Sequence, residues 1–178
     1  MQIDSVVGVF KAYSTRVGAG PLPTELKDEI GDFIRERAQE YGATTGRPRR
    51  CGWFDAVAGL FSAQINGLSD IALTHLDIYD GFHSIKICTA YKYNDEILTS
   101  FPRDIAILGK CKPVYEELDG WQESISGIRN IEKLPVGARN YMSRLEDLLS
   151  CPISLVSVGP DRRQIIEINP KSEARNTE

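Results

Sequence analysis

An α/β layered domain, with a mostly parallel sheet flanked by helices and a small antiparallel hairpin, is the fold class this sequence predicts. Short apolar runs rich in β-branched and aromatic residues, at 5–13, 71–77, 84–93 and 153–157, alternate with stretches from 25, 53 and 135 whose apolar residues recur every three or four positions. Loops rich in Gly, Pro and hydroxyl residues punctuate them. With 42% hydrophobic and 26% charged residues, the 178-residue chain can bury one sizeable core. A single domain over 1–170 and a polar, frayed tail at 171–178 are expected, with no internal repeat or linker.

The first strand is expected within Ser5-Val6-Val7-Gly8-Val9-Phe10-Lys11-Ala12-Tyr13. It opens almost at the first residue, so it is either an ordinary first strand or one whose sheet partners lie elsewhere. The loop Ser14 to Glu25 follows at a strand's carboxyl end, where open α/β sheets place ligands, although it fits neither G-x-x-x-x-G-K-[ST] nor G-x-G-x-x-G. Thr24 can cap a helix from Glu25, with Ile30, Phe33, Ile34, Arg37 and Ala38 on its buried face and Gly42 as its stop.

A second helix is expected over Trp53 to Gln64, with Ala56, Val57, Leu60 and Phe61 inward and Gly67 ending it. Ile71 to Asp77 reads as a strand delivering Asp77 to its carboxyl end, before an Asp80-Gly81 turn. Ser84 to Tyr93 and Glu96 to Thr99 form a hairpin about Asn94-Asp95. Mixed signals from Phe101 to Pro135 predict irregular structure around a short strand at Pro113 to Glu117. Pro135 opens a helix that turns Ala138, Tyr141, Met142, Leu145, Leu148 and Leu149 inward. A last central strand runs Ile153 to Ser157, then a loop over Val158 to Arg162 and an edge strand at Gln164 to Ile168.

Composition excludes some classes. A net charge of -4 argues against wholesale nucleic-acid binding, so any basic function is local. No apolar run approaches membrane-spanning length, and Met1-Gln2-Ile3-Asp4 does not open a signal peptide, so the expected compartment is the cytoplasm. Cys51, Cys88, Cys111 and Cys151 lack paired ligand spacing and are expected as reduced, buried thiols.

The most informative stretch is Gly42-Ala43-Thr44-Thr45-Gly46-Arg47-Pro48-Arg49-Arg50, whose hydroxyls, glycines, proline and arginines suit a loop that converges on phosphate or carboxylate. A solvated charged turn is the plainer alternative. With the Arg16 to Pro21, Thr74 to Asp77 and Ser157 to Arg162 segments, it makes four candidate loops. Together these resemble the adenylosuccinate synthetase family, GTP-dependent ligases joining inosine monophosphate (IMP) to L-aspartate in purine biosynthesis. The resemblance runs from about Val6 to about Ile168 and includes the strings Tyr13 to Glu25 and Gly42 to Arg50.

The resemblance implies the C-terminal portion of a P-loop-like fold, GTP and Mg2+ as co-substrate and cofactor of the whole enzyme with none expected tightly bound to this chain, and a homodimer when full-length, with a monomeric fragment compatible with it. Val17 would lie against IMP, Ala43, Thr44, Thr45, Gly46, Arg47 and Arg49 would close over aspartate, with Arg47 also reaching IMP and Arg49 reaching GTP. His75, Leu76, Asp77, Ser157, Val158 and Gly159 would form the guanine pocket, with Asp77 accepting from the ring N–H and amino group. A capping or turn residue is the plainer reading of Asp77.

Two departures accompany the resemblance. His75 stands where the family usually has lysine, replacing a long cation by a flat ring that is mostly neutral at pH 7. The family's glycine-rich phosphate loop, its proton-abstracting aspartate and its phosphoryl-transfer histidine have no counterpart in this sequence. The chain alone is therefore expected to hold no catalytic residue, no metal and no activity; a stand-alone guanine-nucleotide or anion-binding module is the alternative reading.

Overall fold

The computed structural model describes residues 3–168, and the tail expected from Lys171 lies outside them. The first and second expected strands align with the last central one as a sheet, and the α/β class follows. β1 (Val7–Lys11) starts it, and β2 (Ser14–Arg16) follows. Next come α1 (Glu29–Arg37), β3 (Arg50–Gly52), β4 (Phe54–Asp55), α2 (Ala56–Asn66) and β5 (Asp70–Thr74). β6 (Phe82–Tyr93), β7 (Glu96–Leu98), α3 (Ile105–Leu108) and β8 (Lys112–Trp121) form the middle of the chain. α4 (Val136–Leu149), β9 (Ile153–Ser157) and β10 (Ile165–Glu167) complete it.

The main sheet has the order β1-β5-β9-β10, with β1, β5 and β9 parallel and β10 antiparallel at one edge. Parallel pairing brings the carboxyl ends of β1, β5 and β9 to one side of the layer. A second sheet is built on β6, which pairs in parallel with β4 and antiparallel with β7 and β8. The antiparallel part is thus larger than a hairpin. β8 is longer than the expected Pro113 to Glu117 because it runs beside β6 with many half-exposed positions, so its polar residues face water and its period is weak.

The first helix begins at Glu29 rather than Glu25. Residues on the Thr24 side are committed to β3: Glu25 bridges Gly52, and the Leu26 amide donates to the Cys51 carbonyl at 2.9 Å. Asp28 is the true cap, accepting from the Gly31 amide at 3.1 Å. The inward face is Gly31 and Ile34, while Ile30 and Phe33 are exposed. The helix stops before Gly42 through a left-handed Gln39, with the Gln39 amide donating to the Glu36 carbonyl at 3.2 Å and the Glu40 amide to the Arg35 carbonyl at 2.8 Å.

α2 starts three positions later than the expected Trp53, because Phe54–Asp55 first pairs with β6 and Asp55 then caps the helix through the Ala58 amide at 3.1 Å. Gly67 ends it in the left-handed conformation, as expected. The helix from Pro135 also forms as expected, with Ala138, Tyr141, Met142, Leu145 and Leu149 buried.

The main core joins both sheets through Trp53, Tyr79, Ile85, Trp121, Tyr141 and Leu145. Val57, Cys88, Tyr91, Leu108 and Cys111 form a smaller cluster at the far end of β6. All four cysteines are free and buried. Burial pushes the Cys51 thiol up to about 11 and the Cys88 thiol up to about 12.

Asp80 ties the turn before β6 to the end of β8. Its carboxylate accepts from Trp121 Nε1 at 2.7 Å and from the Ile125 amide at 3.1 Å, beside the Arg37 guanidinium at 3.5 Å. Asp80→Ala leaves two buried N–H groups without an acceptor and is expected to destabilise the chain by about 2 to 5 kcal/mol, read from urea unfolding. A midpoint within experimental error of the parent's is the contrary result.

Candidate functional site

Two short pairings join the four candidate loops. β2 and β3 run antiparallel, with Arg16 opposite Arg50, so the Val17 loop leaves the ribbon beside the point where the arginine loop enters it. β5 and β9 run parallel, and the His75 amide donates to Ser157 Oγ at 3.0 Å, which joins the Thr74 to Asp77 segment to the Ser157 to Gly159 turn. Tyr13, just past β1, links the two pairs: its ring meets the His75 ring edge-on at 5.9 Å between centroids, and its hydroxyl donates to Glu40 at 2.6 Å.

Glu40 is the buried centre of this junction. Its Oε1 accepts from Tyr13 and from the Lys11 ammonium, and its Oε2 from Arg49 Nη1 at 2.8 Å. Burial by itself would raise this carboxyl, but the donors Lys11, Tyr13 and Arg49 outweigh it and hold the group below the usual carboxylate range. Burial pushes the Tyr13 hydroxyl well up, reinforced by the same carboxylate, so Tyr13 remains a donor.

The arginine loop is a pre-formed turn. The Gly42 amide donates to the Arg47 carbonyl at 2.9 Å, the Gly46 amide returns to the Gly42 carbonyl at 2.8 Å, and Gly46 takes a positive φ of 63°. Ala43, Thr44, Thr45, Gly46 and Arg47 are exposed along its outer side, and Val17 is 77% exposed on the neighbouring loop. Each arginine has its own surroundings. Arg50 is spent on structure: it pairs bidentately with Glu25 at 2.8 and 2.7 Å and donates to the Gly18 and Gly20 carbonyls at 3.0 and 2.6 Å. Arg49 is partly buried against Glu40 and keeps a buried Nε with no protein acceptor.

The 74–77 segment differs from the expected strand end. β5 closes at Thr74, His75 takes a left-handed φ of 59°, and Leu76 to Tyr79 form a 3-10 turn, so Asp77 projects from the first residues of that turn rather than from the strand. Burial raises the Asp77 carboxyl, partly opposed by its own amide and by His75. Asp77 Oδ1 is buried and has no protein donor. Burial also lowers the His75 pKa, which favours the neutral ring. Leu76 and Val158 are buried, and Ser157 and Gly159 are half-buried.

Arg49 and the 75–77 and 157–159 segments therefore lie around one junction, while Val17 and Ala43 to Arg47 form an exposed rim reached through the β2–β3 ribbon. Lys11, Tyr13 and Glu40 were missed. A lysine and a tyrosine at a strand end could have been flagged as ligand-edge residues, but a lone glutamate beyond a helix carries no motif. Among the described residues, no group of three or more His, Cys, Asp or Glu side chains could hold a metal ion.

A family model described as adenylosuccinate synthetase matches residues 1–166 of this chain. The adenylosuccinate synthetase of Geotalea uraniireducens is 54% identical over 172 residues, which is 97% of this chain and 40% of that protein. That of Dehalococcoides mccartyi is 56% identical over 164 residues, covering 92% of this chain and 39% of its own length. The solved structure of fully ligated adenylosuccinate synthetase from Plasmodium falciparum superposes with a TM-score of 0.90 at 40% identity, over 94% of this chain and 40% of that one. The chain spans about 40% of the length of these relatives.

The depressed Glu40 carboxyl has a stability consequence. Its pKa is lower folded than unfolded, so its contribution is present above the unfolded value of 4.5 and is lost as pH falls through the folded value. Urea midpoints measured from neutral pH downward are expected to fall on acidification in the parent chain. In Glu40→Gln they are expected to start lower and fall less. Parallel pH profiles are the contrary result.

Proposed function

The chain belongs to the adenylosuccinate synthetase family, and we propose that it supplies the guanine pocket and the aspartate loop of this GTP-dependent ligase. The observation that carries the reading is Asp77: a buried carboxylate oxygen without a protein donor, two residues after His75, whose amide donates to Ser157. Such an atom stabilises a ligand that brings N–H donors, and guanine presents a ring N–H and an amino group on one edge where adenine presents no such pair. The stand-alone module gains no observation of its own.

In the whole enzyme, GTP phosphorylates the 6-oxygen of IMP and the aspartate amine displaces that phosphate. This chain's residues bind and orient. Thr44, Thr45 and the loop amides offer donors to the aspartate carboxylates, Arg47 faces both aspartate and IMP, Val17 packs against IMP, and Arg49 offers its free donors to the GTP side. Magnesium would screen charge on the transferring phosphoryl group. Cytoplasmic location and a homodimeric full-length enzyme belong to the same proposal; among the described residues no helix is long and apolar enough to cross a membrane.

The test is base selectivity. Asp77→Asn is expected to weaken GTP use by about 2 to 4 kcal/mol in catalytic efficiency of the full-length enzyme, because one acceptor becomes a donor facing N–H groups. The same variant should gain xanthosine triphosphate, whose 2-oxo group accepts the new amide. Equal loss with every nucleotide would overturn the assignment of Asp77 to the base edge. Arg49→Ala is expected to cost about 2 to 4 kcal/mol of transition-state stabilisation, and unchanged steady-state kinetics would contradict its role. The 178-residue chain alone is expected to give no adenylosuccinate from GTP, IMP, aspartate and magnesium. Product above a blank lacking the chain, from a preparation free of host enzyme, is the contrary result.

A further inference from the structure

We infer that Glu40 is the positioning residue of the nucleotide side of this site, its buried carboxylate holding the Arg49 guanidinium where the arginine loop meets the carboxyl ends of β1 and β5. The inference rests on the proposed function in one respect, that Arg49 faces the nucleotide.

Glu40 grips Arg49 twice. Its side chain takes Arg49 Nη1 at 2.8 Å, and its carbonyl accepts the Arg49 amide at 2.8 Å. Arg35 Nε closes the arrangement by donating to the Arg49 carbonyl at 2.8 Å. Glu40 is itself immobilised: the left-handed Gln39 ends α1 and sends the Glu40 amide back to the Arg35 carbonyl, and only 2% of the residue is exposed. A helix end thus aims a carboxylate at a loop arginine.

Charge and burial argue against a purely structural part. Removing a carboxylate from water is costly, and that cost is offset here by donors that converge on it from two strand-end residues and the arginine loop. Here the carboxylate is set between two cations, Lys11 and Arg49. The cluster therefore keeps an excess of positive charge at the edge of the parallel strands, which suits an anionic ligand. Arg49 is held by one nitrogen and one backbone amide. Its side chain remains one-third exposed, and its Nε lacks a protein acceptor. Glu40 fixes the fork and leaves its remaining donors for a ligand. Tyr13 shares the same carboxylate and touches His75, so the set of contacts reaches the base pocket.

The experiment has two arms on the chain itself. In the first, the Arg49 Nε–H signal is followed by NMR in the parent and in Glu40→Gln. The parent is expected to show an ordered, slowly exchanging signal and the variant a mobile one. An Arg49 signal unchanged by Glu40→Gln overturns the inference. The second arm titrates GTP into the parent, Glu40→Gln, Arg49→Ala and the double variant. Glu40→Gln is expected to weaken binding about tenfold, the scale of one charge-assisted hydrogen bond, and to add nothing in the Arg49→Ala background. Equal weakening in both backgrounds marks a structural role and overturns the inference. If Arg49→Ala leaves GTP affinity unchanged while the Arg49 signal still loosens in Glu40→Gln, Arg49 does not face the nucleotide and the positioning role stands. Should Glu40→Gln not fold, Glu40→Asp keeps the charge, shortens the reach and is read by the same two arms.

Discussion

Ala12 is the peptide on which the site's geometry depends. Its amide continues the parallel ladder by donating to the Thr74 carbonyl at 2.8 Å. Its carbonyl accepts from two buried hydroxyls, Tyr79 at 2.9 Å from the 3-10 turn and Tyr141 at 2.6 Å from α4. A carbonyl has two lone pairs, and both are used, which matches the requirement that buried backbone polar groups be paired. Burial drives both tyrosine pKa values up, so both hydroxyls stay donors. The chain leaves β1 in a fixed direction, and the next residue, Tyr13, reaches Glu40 and His75 because of it.

From that point the arginines divide by their carboxylates. Arg50 is neutralised by Glu25, whose carboxyl the Arg50 hydrogen bonds hold below its usual range. It also laces the Gly18 to Gly20 loop onto β3 through backbone carbonyls. Arg35 is occupied by Asp32 at 2.5 Å and by the Arg49 carbonyl. Arg49 shares its carboxylate with Lys11, and Arg47 lies exposed on the rim. A nine-residue stretch that reads as uniformly basic is therefore graded, from fully engaged at Arg50 to solvent-facing at Arg47.

The parallel core was legible because buried strands declare themselves as apolar runs: β1 and β9 fall inside the segments expected from sequence, and β5 starts one residue before its own. The start of α1 was not legible, because Thr24 and Glu25 carry a good capping pattern that tertiary pairing overrides. Bonds to Gly52 and Cys51 claim the backbone at 25 and 26, and the Thr24 hydroxyl is left buried without a partner. β8 was under-read because Glu116, Glu117 and Asp119 interrupt its period. The loops of the candidate site were legible as motifs, their mutual arrangement was not. Arg16 opposite Arg50, and His75 against Ser157, are long-range pairings that no local window contains.

His75 and Asp77 are coupled by burial and charge. His75 sits in the left-handed region, a conformation uncommon for a residue with a Cβ, and burial keeps its ring neutral against the edge of Tyr13. A lysine there would place a cation near Asp77 and lower its carboxyl. The imidazole opposes the burial-driven rise only weakly, and the Asp77 carboxyl stays raised. Because its folded pKa is raised, Asp77 lowers the stability of the unliganded chain increasingly as pH rises through that value. Two N–H groups arriving at the unpaired oxygen side would stabilise the ionised form and relieve that penalty. Under the proposed assignment of Asp77 to the base edge, recognition of the base and relief of a buried charge are the same event.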